Sequence, residues 1–251
     1  MNVIDPDATA RPVFVLSERY EAFDGPWHSH RRAQFVYASE GLLTIRAAAG
    51  LWVVPPQRAV WIVPGETHRG SAPKSFWLRT LYAEPGFAPA PARCCVVGVD
   101  RLLDALLTEA ATFGPDYPDE GSEQRLMRVI LDRLATLEPV PSYLPTATDP
   151  RLVKLTAMLE RDAADARPLG ALATASGMTE RTAARLFVKE TGLTFAQWRQ
   201  QLRLLKALQS LSLGESVTNV AGEVGYNDVS AFITVFKEAF GETPARYFRS
   251  R

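Results

Sequence analysis

Residues 169–188 read LGALATASGMTERTAARLFV, and residues 217–236 read VTNVAGEVGYNDVSAFITVF. The second stretch repeats the first 48 positions later, with apolar residues, a small residue and a glycine in matching places. Each stretch predicts a short helix, a turn at Gly177 or Gly225, and a second helix with a polar start. The small residue lets two helices cross closely, and glycine tolerates the backbone of a tight turn. The repeat therefore predicts two helix-turn-helix units.

The second helix of the first unit is expected to read DNA. Thr179 has the hydroxyl that an N-cap needs, and Ala183, Leu186 and Phe187 form an apolar face for the core. An arginine on the opposite face that binds guanine in a bidentate manner discriminates between bases by about 1–3 kcal/mol. The predicted reading face consists of Arg181, Thr182, Arg185 and Lys189.

The second unit is expected to read DNA through a helix face that carries fewer charged residues. Its second helix is predicted to start at Asn227 or Asp228, with Ala231 and Phe232 facing inward. Such a face contacts bases through methyl groups and contributes less specificity than the first unit. The outward residues are Val229, Ser230, Ile233, Thr234 and Lys237.

The segment between the two units predicts one long helix. Residues 194–211, TFAQWRQQLRLLKALQSL, contain no glycine or proline, and Trp198, Leu202, Leu205 and Leu208 form one apolar stripe. A helix of this length spans about 27 Å, whereas successive major grooves are about 34 Å apart. We therefore expect the bound DNA to bend, or one unit to insert shallowly.

The C-terminal third of the chain resembles the AraC/XylS family of transcriptional regulators. The resemblance implies sequence-specific promoter binding through two helix-turn-helix subdomains, usually controlled by an attached sensor domain. It places base-reading positions at Arg181, Ala184 and Arg185 and again at Val229, Ser230, Ile233 and Thr234. Ala184 and Val229 stand where the family often has longer polar residues. The residues that carry the resemblance are Gly192, Trp198, Arg199, Ala207, Val220, Ala221, Gly225, Tyr226, Phe232, Phe236, Gly241, Thr243, Pro244 and Tyr247.

Composition is that of a globular protein with room for two domains. The chain has 251 residues, 47% of them hydrophobic, and a formal net charge of zero. From Pro168 onward, however, the chain has ten Lys and Arg residues and seven Asp and Glu residues. This is a modest basic excess for a DNA binder. We expect a cytoplasmic protein without a membrane segment, because no window approaches the ~18 apolar residues of a span. The adjacent pair Cys94 and Cys95 implies no disulfide framework.

The N-terminal part predicts a small β-barrel followed by two helices. Short apolar stretches broken by Gly and Pro indicate strands at residues 33–38, 42–46, 51–54, 60–63 and 76–82. Amphipathic helices are predicted over residues 99–113 and 122–137. The predicted fold class is thus α+β and multidomain, with a small N-terminal β-barrel, which is cupin-like by the resemblance that its histidine pattern carries, and an all-α C-terminal domain. The expected boundaries are a sensor barrel at 1–97, a helical dimerisation and signal-transmission segment at 98–138, a proline-rich linker at 139–150 and the DNA-binding domain at 151–251.

All three histidines of the chain lie in this barrel region. His28 and His30 are spaced to face the same side of a strand, and His68 follows a Pro-Gly turn. With Gln34 or water, they could bind one divalent transition metal such as Zn, Ni, Fe or Mn. The pattern also resembles that of cupins, whose metal ligands correspond here to His28, His30 and His68. Gln34 replaces the usual glutamate of that pattern, and Ala72 replaces a later asparagine.

An organic ligand is the alternative to a metal. In that interpretation the histidines hydrogen-bond within the barrel or line a pocket, as in metal-free sensor cupins. Aromatic residues are suitable walls for such a pocket, and an arginine could hold an anionic group. The candidate pocket residues are Trp27, Phe35, Tyr37, Trp52, Trp61 and Arg46.

These features predict a transcriptional regulator whose binding to double-stranded promoter DNA is controlled by a small molecule or metal in the barrel. We expect a homodimer. The protein could be an activator, which would contact RNA polymerase, or a repressor. No phosphate-binding glycine loop, catalytic triad or carboxylate pair is evident, so we expect no enzyme and assign no catalytic residue. One alternative is a metal-dependent cupin enzyme fused to a DNA-binding domain. Another is a constitutive DNA-binding protein whose barrel only mediates dimerisation.

Overall fold

The structure is a computed structural model that describes residues 5–88, 91, 93–140 and 143–248. It divides into two compact units, Met1–Tyr143 and Leu144–Arg251. The division falls within the segment that the sequence suggested as a linker.

The first unit contains two sheets and two long helices. A 3-10 turn at Pro6–Ala8 precedes the strands β1 (Val13–Tyr20), β2 (Phe23–Asp24), β3 (Ala33–Glu40), β4 (Leu43–Ala47), β5 (Gly50–Val54), β6 (Arg58–Ile62), β7 (His68–Ala72), β8 (Phe76–Ala83) and β9 (Cys95–Gly98). Helices α1 (Arg101–Phe113) and α2 (Ser122–Ala135) follow, and then the short strands β10 (Pro139–Val140) and β11 (Tyr143–Pro145), the second of which crosses the division.

The two sheets pack face to face around an apolar core. The first sheet has the order β1-β8-β3-β6-β9-β10, and the second sheet within this unit has the order β5-β4-β7-β2. Val36 and Ile62 of the first sheet share the inner core with Trp52 of the second. Because neighbouring side chains on a strand face opposite ways, Phe35 and Trp61 lie on the outer face, in the core that includes residues of α1 and α2.

The strands predicted from the sequence correspond to β3, β4, β5, β6 and β8, and the two predicted helices correspond to α1 and α2. Strands β1, β7 and β9 were not predicted, because their residues lack clear alternation. The proline-rich segment after α2 is not simply extended chain. Pro139 and Val140 pair with β9 at the edge of the first sheet, where proline is tolerated. Pro141 and Ser142 of this segment lie outside the described residues.

From Pro150 onward, the regular structure of the second unit is helical among the described residues. Its helices are α3 (Pro150–Arg161), α4 (Leu169–Ala175), α5 (Glu180–Thr191), α6 (Phe195–Ser212), α7 (Val217–Glu223), α8 (Val229–Phe240) and α9 (Pro244–Tyr247). The pairs α4–α5 and α7–α8 are the two predicted helix-turn-helix units, and α6 is the predicted long helix between them. All four residues of its predicted stripe are buried: Trp198, Leu202, Leu205 and Leu208.

The sequence repeat is also a repeat of hydrogen bonds. The Met178 nitrogen donates to the Ala173 carbonyl at 3.0 Å, and the Tyr226 nitrogen donates to the Ala221 carbonyl at 2.8 Å. Ala173 and Ala221 are completely buried, as expected where two helices cross closely. Gly177 and Gly225 have φ angles of 77° and 81°, in the left-handed region that favours glycine. Both units therefore turn in the same way.

Candidate nucleic-acid interface and metal centre

Helix α5 presents one basic face. Thr179 is its N-cap, and its hydroxyl accepts a hydrogen bond from the Thr182 nitrogen at 3.2 Å, as predicted. Arg181, Ala184 and Arg185 are exposed, as is Lys189, whereas Thr182 is half-buried. No ion pair joins these cations to another side chain within the described part of the chain. Their charges are thus unneutralised by other side chains, as binding to phosphates and guanine requires.

The C-terminal part of α5 is anchored to the start of α3, a feature that the sequence did not reveal. The Glu190 carboxylate accepts hydrogen bonds from the backbone nitrogens of Thr148, at 2.7 Å, and Asp149, at 3.0 Å. These bonds lower the pKa of Glu190. The partners lie more than 40 positions away in sequence, so no local pattern indicates the contact. It restrains α5 within the second unit.

Helix α8 presents a less charged face. Its N-cap is Asp228, whose carboxylate accepts from the Ser230 nitrogen at 2.9 Å. The expectation that Ala231 faces inward is wrong, because Ala231 is exposed while Phe232 is completely buried. Because residues three or four apart lie on the same face of a helix, Ala231 lies on the same face as the exposed Thr234 instead. Of the predicted outward residues, Ser230, Thr234 and Lys237 are exposed, and Val229 and Ile233 are half-buried.

The three histidines converge at one end of the first unit. His28 and His68 form an isolated bridge in which each backbone nitrogen donates to the other carbonyl, at 2.9 and 2.8 Å. The His30 carbonyl accepts from the Gly65 nitrogen at 2.9 Å. The predicted strand through His28 and His30 is absent, because the chain between β2 and β3 is irregular. Main-chain bonds to His68, the first residue of β7, and to Gly65 before it bring the rings together instead.

The ring orientations leave Nε2 of His28 and of His68 without a hydrogen-bond partner among the described residues, whereas Nε2 of His30 lies 3.2 Å from Oε1 of Gln34. Each Nδ1 atom faces a backbone carbonyl oxygen: Pro26 for His28 at 3.2 Å, Arg32 for His30 at 2.6 Å and Glu66 for His68 at 2.9 Å. A carbonyl can only accept, so each Nδ1 carries the hydrogen and donates it. The lone pair of His28 and of His68 then lies on Nε2; in His30 the same tautomer sets the lone pair against Oε1 of Gln34, which must turn away or join the ligands of the ion. Such second-shell bonds are typical of histidines that bind metals.

The donor set fits a transition metal. One potential ligand atom from each of His28, His30 and His68 lies within 4.8 Å of the others. Two ligands that are about 2.1 Å from one ion stand about 3.0–3.4 Å apart in octahedral or tetrahedral geometry. The widest pair must therefore close by roughly 1.4 Å. His28 can make this movement, because its side chain is exposed while His30 and His68 are buried.

Gln34 lies beside the histidines. Its Oε1 is 3.2 Å from Nε2 of His30, a separation that two ligands of one ion would have. Its Nε2 donates to the Tyr82 hydroxyl at 3.0 Å, which fixes the orientation of the amide. Burial raises the pKa of Tyr82 to about 12, so the hydroxyl stays neutral. Tyr82 was not predicted from the sequence, because it lies 48 positions from Gln34.

His68 is held neutral. Burial, followed by the nearby His28 and His30, lowers the pKa of His68 to about 4, despite the opposing hydrogen bond to Glu66. A neutral imidazole is the form that binds a metal. This ring therefore does not need to lose a proton at neutral pH before it binds an ion.

The six residues suggested as an aromatic pocket do not share one. Phe35, Tyr37 and Trp61 belong to the core that contains residues of α1 and α2, whereas Trp52 belongs to the core between the sheets. Trp27 and Arg46 are exposed. The alternation of side chains along a strand separates these residues.

Comparison with known proteins gives matches to both units. Residues 172–250 match the family described as "Helix-turn-helix domain", and residues 12–93 match the family described as "AraC-like ligand binding domain". The chain is 36% identical to the HTH-type transcriptional regulator NimR of Escherichia coli, over 98% of this chain and 91% of NimR. It is 36% identical to the HTH-type transcriptional activator RhaS of Escherichia fergusonii, over 41% of this chain and 38% of RhaS. A structure of ToxT from Vibrio cholerae, 10% identical, aligns with a TM-score of 0.41 over 95% of this chain and 98% of ToxT.

The helices were also compared with the dimensions of a bilayer. Among the residues that the structure describes, no helix is both long enough and apolar enough to cross a membrane.

Proposed function

The chain belongs to the AraC family of transcriptional regulators, and on that premise we propose that a divalent transition metal bound by His28, His30 and His68 controls its binding to promoter DNA. Zn, Ni, Fe and Mn all accept imidazole ligands, with Gln34 or water as a further ligand. The observation that carries this proposal is the orientation of the three rings, each with Nδ1 at a backbone carbonyl. An organic effector requires no such common orientation.

Promoter contacts are assigned to the exposed faces of α5 and α8. Arg181 and Arg185 of α5 can bind guanine edges, and Lys189 can bind a phosphate. Thr179 caps the end of α5 that enters the groove. Helix α8 adds methyl and hydroxyl contacts of lower specificity. The proposed DNA-binding residues are Thr179, Arg181, Thr182, Ala184, Arg185, Lys189, Val229, Ser230, Ile233, Thr234 and Lys237.

We assign the control of DNA binding to the parts of the chain as follows. Residues 1–97 bind the effector, and residues 98–138 mediate homodimerisation. Residues 139–150 link these parts to residues 151–251, which bind DNA. The exposed side chains of Leu102 on α1 and Val129 on α2, 53% and 45% accessible, support a dimer contact through these helices. An activator would in addition contact RNA polymerase. Control requires that the metal bind one arrangement of the protein more tightly than another.

The test uses the full-length protein and the DNA that it retains from cells. Elemental analysis of the purified protein is expected to find about one transition-metal ion per chain, and sequencing of the co-purified DNA supplies the promoter fragment. Fluorescence anisotropy then measures the affinity of the protein for this fragment, once in the presence of the metal and once in the presence of a chelator. The wild-type affinity should change at least tenfold, while that of His68→Ala should not respond. Trp27→Ala, a change at an exposed neighbouring residue, is the matched control and should respond like the wild type.

Two outcomes would contradict the proposal. One is a metal-free protein whose DNA affinity is unaffected by every metal added; an organic effector or a constitutive DNA-binding protein would then account for the barrel. The other is metal-dependent substrate turnover, which would favour the enzyme alternative. The similar proteins named above are transcriptional regulators, and we propose no catalytic role for the ion.

A further inference from the structure

Arg203 lies on α6, the long helix between the two helix-turn-helix units. Its side chain is half-buried, and its Nε donates a hydrogen bond to the Ala163 carbonyl at 3.0 Å. Ala163 belongs to the connection between α3 and α4, which leads into the first helix-turn-helix unit. The bond therefore joins α6 to the chain that enters the unit containing α5.

The same guanidinium contacts the turn of the second helix-turn-helix unit. Its Cζ lies 5.8 Å from the ring centroid of Tyr226, which follows the turn glycine. A Cβ added to Gly225 would lie 2.6 Å from Nη2 of Arg203 and 3.0 Å from Cα of Ala164. The connection before α4 and the turn before α8 thus meet at Arg203.

Tyr226 extends this contact to the core of α8. The rings of Tyr226 and Phe232 have centroids 5.5 Å apart, and Phe232 is completely buried on α8. An arginine suits this place because its planar group can donate at its edge while its face lies over an aromatic ring. A lysine has no such plane, so it can replace the charge of Arg203 but not both contacts.

A directional contact at this place can decide how α8 is oriented relative to α5. Residues 213–216 alone connect α6 to α7, and the apolar contacts along α6 are non-directional. A hydrogen bond, in contrast, has a preferred distance and angle. Orientation matters for DNA, because one additional base pair moves a half-site by about 3.4 Å and rotates it by about 35° around the duplex.

We propose that Arg203 is a positioning residue, which fixes the orientation of α8 relative to α5 and thereby the spacing of the two half-sites that the protein accepts. The inference rests on the proposed assignment of promoter contacts to α5 and α8. It does not depend on control by a metal. Arg203 acts through the Ala163 carbonyl and the Tyr226 ring, and no contact of its own with DNA is required.

The experiment measures the affinity of the full-length protein for promoter fragments of altered spacing. Hydroxyl-radical footprinting of the fragment retained from cells locates the two contacted grooves, and one base pair is inserted or removed between them. In anisotropy titrations, the wild type should bind either altered fragment about 10-fold more weakly than the natural one, the value of one lost base contact. Arg203→Met keeps the apolar stem but loses the guanidinium, and its affinities for the three fragments should differ by less than about 3-fold. Arg203→Lys should lie between the two.

Arg199→Met is the matched control. Arg199 lies one helical turn before Arg203 and donates to the Arg167 carbonyl of the same connection at 3.1 Å. Its guanidinium lies over the Phe195 ring, 4.7 Å from the centroid, rather than over Tyr226. This variant should keep the spacing preference of the wild type. The comparison is independent of stability, because each ratio of affinities is measured with one protein on different fragments.

Three outcomes would overturn the inference. The first is a wild-type spacing preference in Arg203→Met. The second is a loss in Arg203→Met that is equal at every spacing and reduces the salt slope by about one, which indicates a direct phosphate contact. The third is a wild type that binds all three fragments equally, which would also contradict the assignment of promoter contacts to both α5 and α8. The first two outcomes leave that assignment intact, and a missing response to metal affects neither.

Discussion

His28 and His68 exchange two main-chain hydrogen bonds, of 2.9 and 2.8 Å, although 40 positions separate them in the sequence. The bridge places their rings with centroids 4.3 Å apart. Because the bonds are made by the main chain, replacing either side chain preserves the bridge. Substitutions at these positions therefore remove an imidazole without removing the main-chain bonds that join the two segments.

The ligand residues should contribute unequally to metal affinity. Removing an outer-shell partner of a metal typically costs 10- to 100-fold in affinity. We expect His28→Ala, His30→Ala and His68→Ala each to weaken Zn binding by more than about 100-fold, and Gln34→Ala to weaken it by about 10-fold. Competition with a chromophoric chelator measures these constants, with Trp27→Ala as the control. Equal effects of all four ligand substitutions, or no effect of any, would contradict the assignment.

The stability of the metal-free protein should depend on the titration of His68. An unfolded chain takes up a proton on this histidine near pH 6.5, whereas the folded protein does so only near pH 4. Between these values the unfolded state binds more protons, so the free energy of unfolding should fall as the pH decreases. The contribution of His68 to the slope of the free energy of unfolding against pH is at most about 1.4 kcal/mol per pH unit. Urea unfolding with a chelator at pH 7.5, 6 and 5 measures it, and His68→Gln should have a smaller slope. An identical slope in the variant would refute this origin.

Loss of either exposed arginine of α5 should reduce sequence discrimination. Arg181→Ala and Arg185→Ala are each expected to weaken specific binding by about 1–3 kcal/mol, because a bidentate contact to guanine has that value. Lys189→Ala should weaken specific and non-specific binding alike and reduce the salt slope by about one. Anisotropy titrations on promoter and scrambled DNA separate these effects. Arg246→Ala, at an exposed arginine of α9, is the control. Full discrimination in both arginine variants would count against the proposed face.

The two turn glycines should differ in their tolerance of alanine. A side chain in the left-handed region costs about 1–2 kcal/mol, and Gly177→Ala should cost no more, because among the described residues no atom beyond its chain neighbours lies within 4 Å of the new Cβ. At Gly225 that Cβ would lie 2.6 Å from the Arg203 guanidinium and 3.0 Å from the backbone of Ala164. Arg203 is itself bound to the Ala163 carbonyl at 3.0 Å, so it cannot readily move away. Urea unfolding followed by helical circular dichroism should show the larger loss for Gly225→Ala. Equal losses would show that the contact relaxes at little cost.

The helix-turn-helix units were predictable because their information is local. Caps, turn glycines and apolar spacing act within a few residues, and α4 and α7 each end two residues before the predicted turn glycine. The exposure of Ala231 was missed because periodicity fixes the direction of a small residue only weakly. The tie between Glu190 and the start of α3 was missed for a different reason, since its partners are remote in sequence.

The sequence alone determined the repeat, the two-part organisation, the second helices of the two helix-turn-helix units and the presence of three histidines in the sheet-forming part. Only the tertiary structure decided that His28 and His30, in irregular chain, approach His68 at the start of β7, that Tyr82 orients Gln34, and that Phe35 and Trp52 face different cores. The physical reason is the range of the interactions. A helix satisfies its hydrogen bonds within one turn, whereas a strand or bridge needs a partner that may lie anywhere in the chain. Which side chains meet across a sheet therefore follows from pairing and register, and these are properties of the folded whole.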